Sequence, residues 1–98
     1  MAGRLIWSPR ALAELDEIAD YIAKDSPFYA RMVVRRVMDR AERLPEMPGQ
    51  GRMVPEYDGP LNLREVFVYS WRIIYAVTDK GIEVVTVFHG ARVFDGSV

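Results

Sequence analysis

The one histidine of this 98-residue chain, His89, limits the acid–base chemistry that the protein can support. Cleavage of RNA by attack of its own 2′-hydroxyl group needs a general base, an acid that titrates near neutral pH and cations around the phosphorane. His89 has the chemistry of the acid, Glu56 that of the base and Arg72 that of the cation. Because the sequence alone does not show that Glu56 faces His89, these three residues form a hypothesis for a nuclease site.

Other kinds of active site lack their characteristic residues in this sequence. There is no cysteine, no Gly-x-Ser-x-Gly elbow and no glycine-rich phosphate-binding motif, so thiolate chemistry, acyl transfer and nucleotide-cofactor binding have no support. A single histidine without His-x-x-x-His or Asp-x-Asp spacing also argues against a metal site. We therefore expect neither a cofactor nor a metal.

Three arginines and the histidine are expected to meet in the folded chain: Arg64, Arg72, His89 and Arg92. An arginine on a strand between apolar neighbours needs an ion-pair partner or a place at the sheet edge. In a structural role, Arg64 pairs with Glu65, and Arg72 pairs with Glu83 or the C-terminal carboxylate. In a binding role, the guanidinium groups and the imidazole line one end of a concave sheet and take up a phosphate or an acidic protein surface.

The composition indicates a single domain over residues 1–98. Half of the residues are hydrophobic and 28% are charged, which is enough apolar surface for a core. A formal net charge of −1 argues against nucleic-acid binding through bulk electrostatics alone. No apolar run approaches the roughly 18 residues of a membrane span, and the N-terminus lacks a signal-peptide core. We expect a cytoplasmic protein without a membrane segment.

Two amphipathic helices follow a short strand at Leu5-Ile6-Trp7. Ser8-Pro9 provides a helix cap and a first helical residue, and Asp25-Ser26-Pro27 repeats that signal before a second helix that ends ahead of Pro45. The first helix is acidic and the second is rich in arginine. We expect an antiparallel helix hairpin in which these arginines either pair with the acidic helix or serve a binding role.

Three longer strands occupy the second half of the chain, at about residues 61–69, 71–78 and 82–89, after a segment rich in proline and glycine. Within that segment only Arg52-Met53-Val54 is compatible with a short edge strand.

The turn between the last two strands sets their register. If Val77 pairs with Ile82, then Trp71 faces Phe88 and His89 lies on the opposite face of the sheet. The predicted fold is α+β in the order β-α-α-β-β-β, with a helix hairpin packed on a mainly antiparallel twisted sheet and the first strand beside a C-terminal one.

Several segments together resemble a known family. They are Trp7-Ser8-Pro9-Arg10-Ala11, residues 15–22, the loop from Leu44-Pro45 to Gly51-Arg52, Arg64-Glu65, residues 71–75 and His89-Gly90-Ala91-Arg92. In their order and spacing, over nearly the whole chain, they resemble the ParE/RelE superfamily of small toxins from type II toxin–antitoxin modules, also described as plasmid-stabilisation proteins. The compact fold of that family agrees with the order of elements above.

The resemblance implies one of two activities, because this fold serves both. RelE-like and YoeB-like members cut mRNA on the ribosome, whereas ParE-like members are reported to inhibit DNA gyrase. Arg72 matches the strand arginine of the nucleases and His89 the YoeB-like histidine, while Glu56 corresponds only roughly to their glutamate. Gly90 stands where the nucleases have a terminal tyrosine, and the chain lacks their lysine-rich patch. The ParE-like branch is therefore favoured; the alternatives are a ribosome-dependent endoribonuclease and a non-toxic, antitoxin-binding remnant.

The resemblance also implies a ParD-like antitoxin as partner and DNA gyrase as target, without direct sequence-specific DNA binding by this chain. The helix hairpin predicts an apolar groove for the antitoxin, with two arginines for its acidic residues: Leu12, Leu15, Ile18, Arg31, Val34, Arg35 and Met38. The residues predicted to carry toxicity are Arg64, Arg72, His89 and Arg92.

Overall fold

A helical layer and a five-stranded sheet make up the computed structural model, which describes residues 3–98. In chain order the elements are β1 (Arg4–Trp7), α1 (Pro9–Ala23), α2 (Pro27–Glu42), β2 (Arg52–Met53), β3 (Asn62–Val68), β4 (Trp71–Thr78) and β5 (Gly81–His89). Two short 3₁₀ turns, Leu44–Glu46 and Pro48–Gln50, connect α2 to β2. The strand order is β1-β5-β4-β3-β2, with β1 parallel to β5 and all other pairs antiparallel. The predicted α+β fold is confirmed, including the place of the first strand.

Both helices begin as the sequence predicts. The hydroxyl of Ser8 accepts a hydrogen bond from the Ala11 N–H, and that of Ser26 accepts one from the Tyr29 N–H, each over 3.0 Å. Each cap is followed by a proline at the first helical position, where a missing N–H costs nothing. Within residues 3–98, no helix is both long and apolar enough to cross a bilayer.

The expected ion pairs between the helices are not formed. Among the described residues, no salt bridge within 4.0 Å joins α1 to α2, and the ion pair of α1 is internal, between Arg10 and Glu14. The Arg40 guanidinium instead donates to the side-chain oxygen of Gln50, over 2.7 Å. Three further arginines of α2 are exposed to solvent: Arg31, Arg35 and Arg36.

Both faces of the sheet are covered, one by the two helices and the other by irregular segments of the chain. The two helices pack on one face around a core that includes Leu15, Val33, Tyr75 and Val84. On the other face, no helix of residues 3–98 packs, and the second apolar cluster consists of Val54, Leu63, Ile74, Ala76, Val85, Phe88 and Phe94. The loop after β2 and the C-terminal segment therefore cover this face.

A β-bulge changes the register that the hairpin turn implies. Val77 pairs with Ile82 as predicted, but the register shifts between Ile74 and Tyr75, so that Trp71 pairs with His89. The prediction that Trp71 faces Phe88 is wrong, because one extra residue in β5 turns the following side chains over. Phe88 thus belongs to the cluster away from the helices, and the His89 ring lies 5.4 Å from that of Trp71.

Candidate functional site

A buried ion-pair network lies on the sheet face opposite the helices. Arg72, on β4, has only 4% of its side chain exposed, and it pairs with the fully buried Glu65 of β3 and with Glu56 of the loop after β2. Its Nη1 donates to Glu56 Oε2 over 2.7 Å and its Nη2 to Glu56 Oε1 over 2.9 Å. Its Nε donates to Glu65 Oε1 over 3.1 Å, and Arg52 of β2 also pairs with Glu65. Two guanidinium groups thus neutralise two carboxylates.

This network determines the protonation of Glu56. The hydrogen bonds from Arg72, aided by one from the Phe94 N–H over 3.0 Å, lower the pKa of the Glu56 carboxyl from 4.5 to about 2. The hydrogen bonds to Glu56 in turn raise the pKa of Arg72 above its ordinary value, against the opposing effect of burial. Both groups therefore stay charged at any physiological pH.

The C-terminal segment is attached to the same network. The Arg92 carbonyl accepts a hydrogen bond from Arg72 over 3.3 Å, and Phe94 stacks on Phe88 with 6.2 Å between the ring centroids. The guanidinium groups of Arg72 and Arg92 lie 5.2 and 5.1 Å from the centre of the Phe88 ring. Phe88 is therefore contacted by two cations and one aromatic ring.

His89 is exposed and lies on the helix side of β5. It lines a cleft of about 220 Å³, here called the His89 cleft, which is formed by Glu14, Glu17, Ile18, Tyr21, Trp71, Val87, Phe88, His89 and Arg92. His89 Nδ1 accepts a hydrogen bond from the Ala91 N–H over 3.0 Å, so the neutral ring carries its proton on Nε2. Arg92 is exposed at this cleft and also lines a second cleft, of about 360 Å³, on the other side of the sheet with Glu56 and Arg72.

The predicted site residues are only partly brought together. Glu56 and Arg72 are in direct contact, but among the described residues neither forms a hydrogen bond with His89. The expectation that Arg64 joins the cluster is wrong, because strand alternation places Arg64 on the helix side, where it donates to the Gly51 carbonyl over 2.9 Å.

The predicted ion-pair partners are wrong as well. Arg64 does not pair with Glu65, and Arg72 pairs neither with Glu83, which lies opposite Ala76, nor with the C-terminal carboxylate. Glu65 instead pairs with Arg72 and with Arg52, for which no ion pair was predicted. An alternating pattern along β3 was the available signal, because it puts Glu65 on the same face as Arg72.

An apolar groove of about 650 Å³ runs between α1 and α2, and we call it the helix groove. Its lining is Ala19, Asp20, Ala23, Pro27, Ala30, Arg31, Val34, Arg35, Met38, Asp39 and Glu42. Four of the residues predicted for an antitoxin groove are thus present: Arg31, Val34, Arg35 and Met38. Leu15 and Ile18 are instead core residues, 5% and 7% exposed, and Leu12 is exposed outside the groove.

Comparison with known sequences gives matches over nearly the whole chain. Residues 5–94 match the model of the family described as ParE toxin of type II toxin–antitoxin system, parDE. The chain is 36% identical over 90 residues to Toxin RelE2 of Caulobacter vibrioides, covering 91% of this chain and 97% of that protein. It is 35% identical over 89 residues to the putative toxin Y4kP of Sinorhizobium fredii, covering 88% and 86%.

Solved structures support the fold. One, described as a chromosomal ParDE system from P. aeruginosa, gives a TM-score of 0.73 at 22% identity and covers 90% of this chain and 96% of that one. The RelE–RelB complex of Pyrococcus horikoshii gives 0.62 at 19% identity, covering 94% and 99%. A mutant of the E. coli toxin RelE in the free state gives 0.61 at 20% identity, covering 93% and 86%. The family match and the relatives above 30% identity, together with the two-layer fold, show that this chain is a toxin of the ParE family of type II toxin–antitoxin systems.

Proposed function

We propose that this toxin acts by binding and inhibiting DNA gyrase, as its resemblance to the ParE-like branch implies, and that it does not cleave RNA. One observation carries the proposal: both oxygens of the Glu56 carboxylate accept hydrogen bonds from Arg72, and its pKa is lowered to about 2. A general base works best when its pKa lies near the operating pH. A carboxylate with a pKa of about 2 is a very weak base, which favours a toxin that acts through contact.

The contact surface that we propose is the His89 cleft with Arg92 at its rim. Both residues are exposed, and among residues 3–98 Arg92 has no acidic partner within 4.0 Å. Trp71 adds an aromatic wall to the cleft. An exposed arginine beside aromatic rings is typical of protein–protein contact surfaces, where arginine and aromatic residues are enriched. Arg72 is assigned a structural role because it is buried in its ion pairs.

The test is inhibition of DNA supercoiling by purified gyrase. The toxin should inhibit supercoiling, and its expression in cells should cause a DNA-damage response and filamentation while bulk mRNA stays intact. The double variant His89→Ala, Arg92→Ala should inhibit at least about tenfold less, as expected when central contact residues are truncated. Arg36→Ala, which removes an exposed arginine of α2, is the matched control and should inhibit normally.

Three outcomes would contradict this assignment. Full toxicity of the double variant at matched expression would move the working surface elsewhere, with α2 as the next candidate. Ribosome-dependent cleavage of mRNA that is abolished by His89→Ala would support the nuclease alternative. Normal growth on overexpression of a chain that still binds antitoxin would indicate a non-toxic remnant.

We also propose that a ParD-like antitoxin binds in the helix groove. The floor of the groove is made largely of small or flexible apolar side chains, including Ala19, Ala30 and Met38, which would let a partner helix approach closely. Arg31 and Arg35 stand one helical turn apart at its edge and have no ion pair in the described part of the chain. Two of the similar solved structures are described as toxin–antitoxin assemblies.

Co-expression with the small protein encoded beside this one tests that proposal. The two should co-elute, and the double variant Arg31→Glu, Arg35→Glu should weaken binding by at least about tenfold because it reverses both charges. Arg43→Glu, an exposed charge reversal that lies outside the groove lining, is the control. Separate elution of the two wild-type proteins at micromolar concentration would contradict the proposal.

A further inference from the structure

The edge of β5 is open beyond its fourth residue. β1 pairs with β5 only from Arg4 opposite Gly81 to Trp7 opposite Val84, and then the chain turns into α1. The residues of β5 after Val84 have no strand neighbour on this side in the described part of the protein. Backbone groups at such an edge need other partners, since an unpaired N–H or C=O shielded from water is costly.

The side chains of Ser8, which caps α1, and of Glu14 within α1 provide those partners. The Ser8 hydroxyl donates to the Val85 carbonyl over 2.8 Å. One carboxylate oxygen of Glu14 accepts two hydrogen bonds, from the Thr86 hydroxyl over 2.7 Å and from the Val87 N–H over 3.1 Å. The second oxygen of Glu14 faces the Arg10 guanidinium at 3.7 Å. Glu14 thus takes up a donor that would otherwise bond to a neighbouring strand.

The contact falls at the bulge that orients the end of β5. The register shift lies between the pairs Tyr75–Val84 and Ile74–Thr86. In an unbroken hairpin, each β5 side chain after this point would lie on the opposite face of the sheet from the one it occupies here. His89 is brought beside Trp71 only because of this shift. A carboxylate that binds both Thr86 and Val87 therefore acts on the segment that sets where His89 points.

We propose that Glu14 is a positioning residue for the His89 cleft. From helix α1, its carboxylate accepts a hydrogen bond that a neighbouring strand would otherwise accept, and it thereby stabilises the bulge of β5. The expected effect of Glu14 on toxicity rests on the proposed function. Its expected effect on the conformation of β5 is independent of that function. Because Glu14 also lines the cleft, the experiment must separate its hydrogen-bonding role from a direct contact between its charge and the target.

Three variants make that separation. Glu14→Gln keeps an acceptor oxygen for Thr86 and Val87 but removes the charge, and Glu14→Ala removes both. Asp16→Ala is the matched control, because Asp16 is an exposed acidic residue of α1 that lies outside the cleft lining and has no hydrogen bond to β5 among the described residues. Thr86→Val removes one donor at constant shape and serves as a second, milder test if Glu14→Ala folds poorly.

Amide hydrogen exchange at Val87 and the ring signals of His89, both measured by NMR, report on the strand without reference to any target. In Glu14→Ala the Val87 amide should exchange at least about tenfold faster, from loss of one hydrogen bond to a charged acceptor, and the His89 signals should shift. Gyrase inhibition should fall at least about tenfold in the same variant. Asp16→Ala should match the wild type in all three measurements. Glu14→Gln should keep the Val87 amide protected and should inhibit gyrase more strongly than Glu14→Ala, and Thr86→Val should shift the His89 signals less than Glu14→Ala.

Unchanged Val87 exchange and unchanged His89 signals in Glu14→Ala would overturn the proposal. So would loss of inhibition in Glu14→Gln with Val87 still protected, since that result would mean that the charge of Glu14 contacts the target. If Val87 loses protection in Glu14→Ala while the His89→Ala, Arg92→Ala variant inhibits gyrase fully, the positioning of β5 stands and the proposed contact surface fails.

Discussion

Arg72 donates one hydrogen bond to each carboxylate oxygen of Glu56, over 2.7 and 2.9 Å. This bidentate pair joins a residue of β4 to the irregular loop after β2, two parts of the chain that no backbone ladder connects. The same carboxylate also accepts the Phe94 N–H, so it holds the C-terminal segment on the sheet. One side-chain pair therefore fastens both irregular segments that cover the helix-free face.

The lowered pKa of Glu56 predicts part of the acid sensitivity of the fold. Its folded-state pKa is about 2 and its ordinary value is 4.5. The ionised carboxylate therefore stabilises the folded state fully above about pH 4.5, and this contribution is lost as the pH falls towards 2, where the folded chain also takes up the proton. Glu56→Gln should lower the free energy of unfolding at pH 7 and flatten its decrease between pH 4.5 and 2.

Urea unfolding at a series of pH values measures this effect. Glu46→Gln is the control, because Glu46 is exposed and forms no ion pair within residues 3–98. Parallel pH profiles for the wild type and Glu56→Gln would rule out the assigned role of Glu56.

Glu65 is expected to be among the most sensitive polar positions in the chain. It is fully buried between Arg72 and Arg52, and Glu65→Ala would leave the buried Arg72 with Glu56 as its one remaining carboxylate. Removing one partner of a buried ion pair costs about 3–5 kcal/mol. Glu83→Ala, on the exposed side of β5, should change the free energy of unfolding by less than about 0.5 kcal/mol.

A double variant distinguishes an unpaired charge from simple loss of packing. Glu65→Leu with Arg72→Met should unfold at a higher urea concentration than Glu65→Ala alone, because no buried arginine then lacks its partner. A double variant less stable than Glu65→Ala would mean that the charges themselves stabilise the fold.

Replacing Gly51 with alanine is predicted to destabilise the fold, whereas replacing the nearby Gly49 is not. A Cβ atom at Gly51 would lie 2.6 Å from both the Glu65 carbonyl and the Tyr75 hydroxyl, whereas nothing lies within 4 Å at Gly49. The Tyr75 hydroxyl accepts the Gly51 N–H over 3.0 Å and donates to the Pro48 carbonyl over 2.8 Å, so displacing it breaks one buried and one partly buried hydrogen bond. Gly51→Ala should cost about 1–3 kcal/mol, and Gly49→Ala should stay within about 0.5 kcal/mol. Thermal unfolding of the two variants measures this difference, and equal unfolding midpoints for Gly51→Ala and Gly49→Ala would contradict the prediction.

Tyr69 is a position where a substitution should increase stability. It lies in the turn between β3 and β4 with a φ of 52°, a left-handed conformation that is unfavourable for a residue with a side chain. Tyr69→Gly should stabilise the fold by about 0.5–1 kcal/mol. The gain is reduced by the loss of the contact between the Tyr69 and Tyr29 rings, whose centroids lie 6.5 Å apart. Ser70→Gly, in the same turn without a positive φ, should destabilise it. A lower melting temperature for Tyr69→Gly than for Ser70→Gly would refute this account of the turn.

Local signals in the sequence determined the order and type of the elements. Ser8-Pro9 and Ser26-Pro27 start helices because a serine hydroxyl and a proline satisfy the first helical turn wherever they occur. The turn between β4 and β5 is also a local signal. Because a tight turn permits one register for the residues next to it, it fixed the pairing of Val77 with Ile82. The family resemblance depends on these same segments, and the match over residues 5–94 bears it out.

The side-chain partners were decided only by the tertiary structure. The bulge in β5 is not encoded in the turn; it accompanies contacts of Thr86 and Val87 with Glu14, a residue more than seventy positions away. In the same way, Arg72 was expected to pair with Glu83 or with the C-terminal carboxylate but pairs with Glu56 and Glu65. Residue types and periodicity specify which elements form, whereas a one-residue shift in a strand redirects every side chain after it, and only the packed chain sets that shift.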